Sequence, residues 1–131
     1  MNKNIMATGA IFGILAVILG AFGAHALKKM LDFQQLNTFE TGVRYQMYHA
    51  LFLLFLGLVP GLTEGKKKVI YYFILFGVIL FSGSIYLLAT NNLTAFNFNV
   101  IGFVTPIGGL LLIIGWGLVL LSFLNKKSQN A

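Results

Sequence analysis

Charge is scarce in this chain. Only 9% of its 131 residues are Asp, Glu, Lys or Arg, and just three are acidic. Soluble domains carry about 25% charged residues, and one of this size could not cover its surface with so few. The outer surface is therefore expected to face lipid. Cysteine is absent, which excludes a disulfide framework, a thiolate metal site and a cysteine nucleophile. No acidic residue lies deep in an apolar segment, so the carboxylate chemistry of cation exchangers has no carrier. The net charge of +6 does not indicate nucleic acid, because the lysines sit in short clusters beside apolar runs. That pattern belongs to membrane topology and anionic headgroups, and it makes the lipid bilayer the expected partner.

What the chain has in quantity is apolar length. Hydrophobic residues make up 58%, and mean hydropathy is +0.87. Four apolar segments stand out, at about 5–27, 38–59, 69–90 and 100–124. At about 1.5 Å per residue, each reaches the ~30 Å needed to cross a bilayer. The expected fold is all-α: a single four-helix transmembrane bundle in the cell membrane.

The first segment is longer than a signal-peptide core of ~7–15 residues. It is therefore expected to stay as a span, although Ala24-His25-Ala26 resembles a cleavage site. Its Gly9, Gly13, Ala16, Gly20 and Gly23 make a stripe of small residues on one helix face. Such stripes let membrane helices approach closely, within one chain or between copies in a homo-oligomer. Residues 28–36 are expected to form a short interfacial segment. Asn37 and Glu40 match a capping-box spacing for the second helix, which ends at Pro60-Gly61. Pro106 is expected to distort the fourth helix one turn back, at Gly102. Asn125 to Ala131 read as a frayed basic tail.

With four spans, Lys3, Lys66, Lys67, Lys68, Lys126 and Lys127 share one side, and Lys28, Lys29 and Arg44 share the other. The bias makes both termini cytoplasmic. This topology gathers the polar residues towards the outer side. His25 ends the first helix, Glu40 to His49 occupy the outer part of the second, Ser82, Ser84 and Tyr86 that of the third, and Thr105 that of the fourth. On the second helix Thr41, Tyr45, Tyr48 and His49 fall within an arc of roughly 100°, flanked by Arg44. Val43, Met47, Leu54 and Leu58 fall opposite, on the expected lipid face. Glu40 and Arg44 have the favourable i, i+4 order for an ion pair.

Three functional classes fit this pattern. His25, Glu40, Arg44, Tyr45, Tyr48, His49, Ser82, Ser84, Tyr86 and Thr105 could line a site for a small polar or anionic ligand. The same groups could instead only specify helix packing in a structural or assembly protein. His25 and His49 could hold haem or a metal, although no third ligand is evident and no particular cofactor is implied. Ser82, Ser84 and His49 lack the context of a nucleophile elbow, so no catalytic residue is assigned and an enzyme is not expected.

Motifs along nearly the whole chain carry a resemblance. They are Gly20-Ala-Phe-Gly-Ala-His25-Ala-Leu27, Tyr45-Gln-Met-Tyr-His49-Ala-Leu51, Phe81-Ser-Gly-Ser84 with Tyr86, and Thr105-Pro-Ile-Gly-Gly109 with Gly115-Trp116. In this order they resemble the domain of unknown function 423 family of small bacterial membrane proteins, which is similar to the eukaryotic transmembrane protein 256 group. The resemblance implies a multi-pass membrane protein with four spans and implies no activity.

Overall fold

The computed structural model describes residues 2–94 and 98–129. Four long helices carry the chain: α1 (Asn2–His25), α2 (Phe33–Leu58), α3 (Glu64–Ala89) and α4 (Val104–Gln129). Short 3₁₀ turns lie at Leu27–Lys29, Asn91–Leu93 and Phe98–Ile101, and no strand occurs among the described residues. Three stretches are long and apolar enough to cross a membrane: Asn2–Lys29, Glu64–Ala89 and Val104–Asn125. α2 is as long as its neighbours, with 26 residues. Gln34, Gln35, Asn37, Glu40, Arg44 and Gln46 dilute its first fourteen residues, so composition alone does not mark it as a span.

The helix ends correct several sequence expectations. α2 begins at Phe33 rather than near Asn37, because Asp32 forms the capping box. Its Oδ1 accepts from the Gln35 N–H at 2.7 Å, and Gln35 Oε1 accepts from the Asp32 N–H at 3.1 Å. Asp32 and Gln35 carry the same S/T/D/N-x-x-E/Q signature as Asn37 and Glu40, five residues earlier. The interfacial segment accordingly shrinks to a tight connection whose Leu27 and Leu31 pack with Phe39 and Ala89. α2 gives way at Val59 to a turn in which Gly61 has φ 87°, a backbone conformation that favours glycine. Thr63 then caps α3 by accepting from the Lys66 N–H at 3.2 Å. Lys66, Lys67 and Lys68, expected in a loop, therefore form the first turns of α3. α4 starts at Val104, which places Pro106 in the first helical turn. Its missing N–H has no intrahelical partner there, so the expected distortion at Gly102 has no cause. α4 continues to Gln129 through the expected frayed tail, whose last residues, 130 and 131, lie outside the described residues, as do 95–97 of the third loop.

Contacts along the chain run α1 to α2, α2 to α3 and α3 to α4. All three pairings are antiparallel. Gly9 lies beside Ala50 while Gly23 lies beside Phe39; Gly42 meets Tyr86, and Gly77 and Gly115 meet Leu112 and Ile74. The small-residue stripe of α1 is thus used within the chain. A Cβ on Gly9 would stand 2.8 Å from the Ala50 carbonyl oxygen, so the two backbones touch where only hydrogen fits. Within the stripe Gly9, Ala16 and Gly23 are buried, and Gly13 and Gly20 are half-buried.

α2 is flanked on two sides, and this overturns its expected faces. Val43 packs with the Leu27 and Phe39 group, while Met47 and Leu54 line the groove beside α1. Of the four residues assigned to lipid, only Leu58 is exposed. The open face instead carries Glu40, Arg44, Tyr48, Leu51, Phe55 and Leu58. Opposite it, Phe52, Leu53 and Leu56 join Ile5, Ile70, Ile74, Val78, Leu112 and Val119 in the main apolar core.

Candidate functional site

α2 places Gly42, Gln46, His49 and Leu53 on one buried stripe, at the i, i+4, i+7, i+11 spacing of a single helix face. A polar network grows from this stripe into each neighbouring helix. Gln46, 5% exposed, donates through Nε2 to the Phe12 carbonyl of α1 at 2.9 Å. Its Oε1 accepts from the Tyr86 hydroxyl of α3 at 2.6 Å. One amide therefore ties three helices. Ser82 Oγ donates to the Gly42 carbonyl at 2.8 Å. Gly42 has no side chain to block that approach, and the Tyr86 ring lies against it.

The second node joins α2 to α4. Trp116 Nε1–H donates to His49 Nε2 at 3.0 Å. Indole nitrogen is a donor only, so His49 Nε2 is the acceptor and a neutral ring carries its proton on Nδ1. Nδ1 lies 2.6 Å from the Tyr45 carbonyl, which accepts that proton. Both ring nitrogens are thereby committed. The Trp116 ring also packs edge-on to Phe52, with centroids 4.6 Å apart. A third node joins α3 to α4. Ser84 Oγ lies 2.5 Å from Thr105 Oγ1 and donates to the Phe81 carbonyl at 3.0 Å. With the Ser84 proton so placed, Thr105 is the donor between the two hydroxyls.

The sequence-derived candidates therefore divide. His49, Ser82, Ser84, Tyr86 and Thr105 enter these interior nodes. Tyr45 and Tyr48 stand at the edge of α2, 41% and 52% exposed. Glu40 and Arg44 are exposed, and Arg44 Nη2 donates to Thr41 Oγ1 at 3.0 Å rather than to the Glu40 carboxylate. His25 is exposed at the last residue of α1. It lies about 12 residues, or roughly 18 Å along the helix axis, beyond Gly13, which with Gly9 lies beside Ala50. His25 and His49 do not converge, and His49 has no free nitrogen for a metal. Among the described residues no three His, Cys, Asp or Glu side chains are grouped to hold one.

Gln46 and Trp116 were missed as site residues. Gln46 could have been found by counting back three from His49 and forward four from Gly42. Trp116, 51% exposed, could have been found as a donor-only side chain in a largely apolar helix, whose N–H needs an acceptor on the protein. Lys67, expected in solvent, is 4% exposed, and its Nζ reaches the Gly57 carbonyl near the α2 C-terminus at 3.5 Å and Asn2 Oδ1 at 3.4 Å. Beside the second node lies a cavity of about 330 Å³ lined by Tyr45, His49, Phe81, Gly109, Leu112, Ile113 and Trp116.

The model of a protein family of unknown function, DUF423, matches residues 19–109, a stretch that contains every node except Trp116 and the Phe12 carbonyl. The chain belongs to the DUF423 family. It is 40% identical to a UPF0382 membrane protein of Staphylococcus saprophyticus over 114 residues, covering 87% of this chain and 91% of that one. It is 36% identical to the UPF0382 membrane protein YwdK of Bacillus subtilis, with 92% and 95% covered. It is also 36% identical to the UPF0382 inner membrane protein YgdD of Escherichia coli K12, with 98% and 95% covered. No solved structure matches the chain. The family and the three apolar helices together make this a multi-pass protein of the cell membrane, with lipid as its surroundings.

Proposed function

We propose that the chain crosses the bilayer four times as a single domain with both termini cytoplasmic, and that it is a structural or assembly protein rather than an enzyme. In this reading α2 is the second span, and the interior polar network specifies how the helices pack. One observation carries it: among the described residues no buried side-chain nitrogen or oxygen lacks a hydrogen-bond partner. Gln46 uses both ends of its amide and His49 both ring nitrogens within the chain. A site built for a ligand keeps polar groups facing the ligand; this one commits them to its own helices.

A second reading is favoured by the 330 Å³ cavity. A small polar or anionic ligand would enter past Tyr45 and Tyr48, be drawn by Arg44 and take the Trp116 indole from His49. Glu40, His25, Ser82, Ser84, Tyr86 and Thr105 would then serve as surroundings. Native mass spectrometry of the protein in mild detergent, beside a His49→Ala variant, separates the two. The packing reading expects no bound mass and a lower melting temperature for the variant. A bound mass on the parent that disappears in a variant of unchanged melting temperature would replace it with the ligand reading.

A further inference from the structure

We propose that the open face of α2 is the interface of a homodimer in which Arg44 of each copy pairs with Glu40 of the other. The inference rests on the four-span reading, because the position of Arg44 matters only if α2 lies in the membrane. Ser82 bonds the Gly42 carbonyl, the Phe81 ring packs on Tyr45, and Val43 lies beside Gly20. Arg44 is therefore level with about residue 81 of α3 and residue 19 of α1. These levels are about six to eight residues, roughly 10 Å, inside the helix ends at Ala89 and His25. Arg44 is exposed there, on the same open stripe as Leu51, Phe55 and Leu58, which are 58%, 47% and 69% exposed. An arginine facing lipid at that depth is disfavoured, and intramembrane charges are normally paired or turned inward. Arg44 is neither: its donation to Thr41 satisfies one N–H and leaves the charge uncompensated.

Another copy of the chain has the matching charge in the right place. A two-fold axis along the membrane normal brings identical patches together, so residue i meets residue j and j meets i. Glu40 lies one turn from Arg44 towards the helix N-terminus and is also exposed. Long side chains on a helix lean towards its N-terminus, and the bond to Thr41 shows Arg44 doing so. Across a parallel α2–α2 contact its guanidinium therefore arrives at the level of the partner's carboxylate. Below the charges, a groove of about 410 Å³ between α2 and α4, lined by Tyr48, Leu51, Phe55, Trp116 and Phe123, offers a hollow beside the Leu51 ridge. The outer faces of α1, at Ile11, Ile14 and Ile18, and of α3, at Tyr72, Phe76 and Ile79, are exposed without any charge. They have no comparable need of a partner.

The absence of cysteine allows a clean test on the full chain in the membranes of an expressing bacterium. Leu51→Cys should cross-link by oxidation to twice the monomer mass, and Ile14→Cys and Ile79→Cys at least about tenfold less. Glu40→Arg and Arg44→Glu, each added to Leu51→Cys, should reduce that dimer about tenfold or more, since each sets like charges together. Co-expressing the two with different tags should restore a mixed dimer, because one copy then presents two cations where the other presents two anions. Lys68→Cys and Asn92→Cys, both at exposed positions, report topology separately with an impermeant maleimide. Opposite-side labelling without a Leu51 cross-link, equal cross-linking at all three positions, or a cross-link to a different protein would overturn the dimer and leave four spans standing. Same-side labelling would remove the four-span reading and the dimer with it.

Discussion

The joint made by Gln46 is the most exacting place to test whether the interior network holds the helices. Gln46→Leu keeps the approximate size of the side chain but removes two interhelical bonds, one to the Phe12 carbonyl and one from the Tyr86 hydroxyl. The Phe12 carbonyl lies mid-helix and keeps its α1 bond, so its loss is small. The Tyr86 hydroxyl is left facing an apolar side chain. Interhelical hydrogen bonds in membrane proteins average about 0.6 kcal/mol and reach about 1.7 kcal/mol, so Gln46→Leu should cost about 1–3 kcal/mol. Tyr86→Phe removes only the second bond and keeps the ring contact with Phe39, whose centroid lies 5.0 Å away; it should cost about 0.5–2 kcal/mol. The double variant should cost less than the two singles together by about 1 kcal/mol, because each single change strands the other partner. Reversible unfolding in mixed micelles, followed by circular dichroism, gives all four corners of the cycle. If the single effects add to within about 0.3–0.5 kcal/mol, the residues act independently. The network would then not be what specifies the packing.

Two further perturbations probe the remaining contacts. Gly108→Ala would place a Cβ against the backbone of Phe81, with the Leu80 carbonyl carbon 2.8 Å away, whereas Gly117 has nothing within 4 Å of the added atom. The first should lower the melting temperature sharply by forcing α3 from α4, and the second should leave it unchanged or raise it, since alanine gains up to about 1 kcal/mol over glycine in a helix; equal effects in a melting series would refute the contact. Trp116 is the single tryptophan, so intrinsic emission reads its environment directly: His49→Leu should shift the spectrum by removing the acceptor of the indole N–H, and His25→Leu should not.

The helices were legible in the sequence because apolar length is a property of each segment by itself. Their ends were not equally so. Two capping signatures lie five residues apart at the start of α2, and the chain uses Asp32, with Leu27 and Leu31 buried beside Phe39. Likewise Thr63 converts an apparent basic loop into the first turns of α3. The lysine pattern that reads as surface charge therefore includes Lys67, folded against the end of α2.

The candidate site was half legible for a different reason. A periodicity count sorts α2 into two faces, polar inward and apolar outward, which is right for a helix with one neighbour. α2 has neighbours on two flanks, so its apolar Val43 and Met47 meet α1 while its charged Arg44 and Glu40 are left on the open side. The residues wrongly placed by the count are apolar, and the polarity left outside belongs to Glu40 and Arg44, which it had not assigned to lipid. Inside, among the described residues, every buried polar side-chain atom has found a partner, and the chain has little left there with which to recognise anything else. Outside, one cation and one anion stand a turn apart, and the cation turns to Thr41 rather than to the anion. In water such a pair would be worth little. If α2 spans the bilayer as proposed, it is the largest electrostatic imbalance the open face presents. A search for what this protein binds should therefore begin on the open face of α2 rather than in its interior.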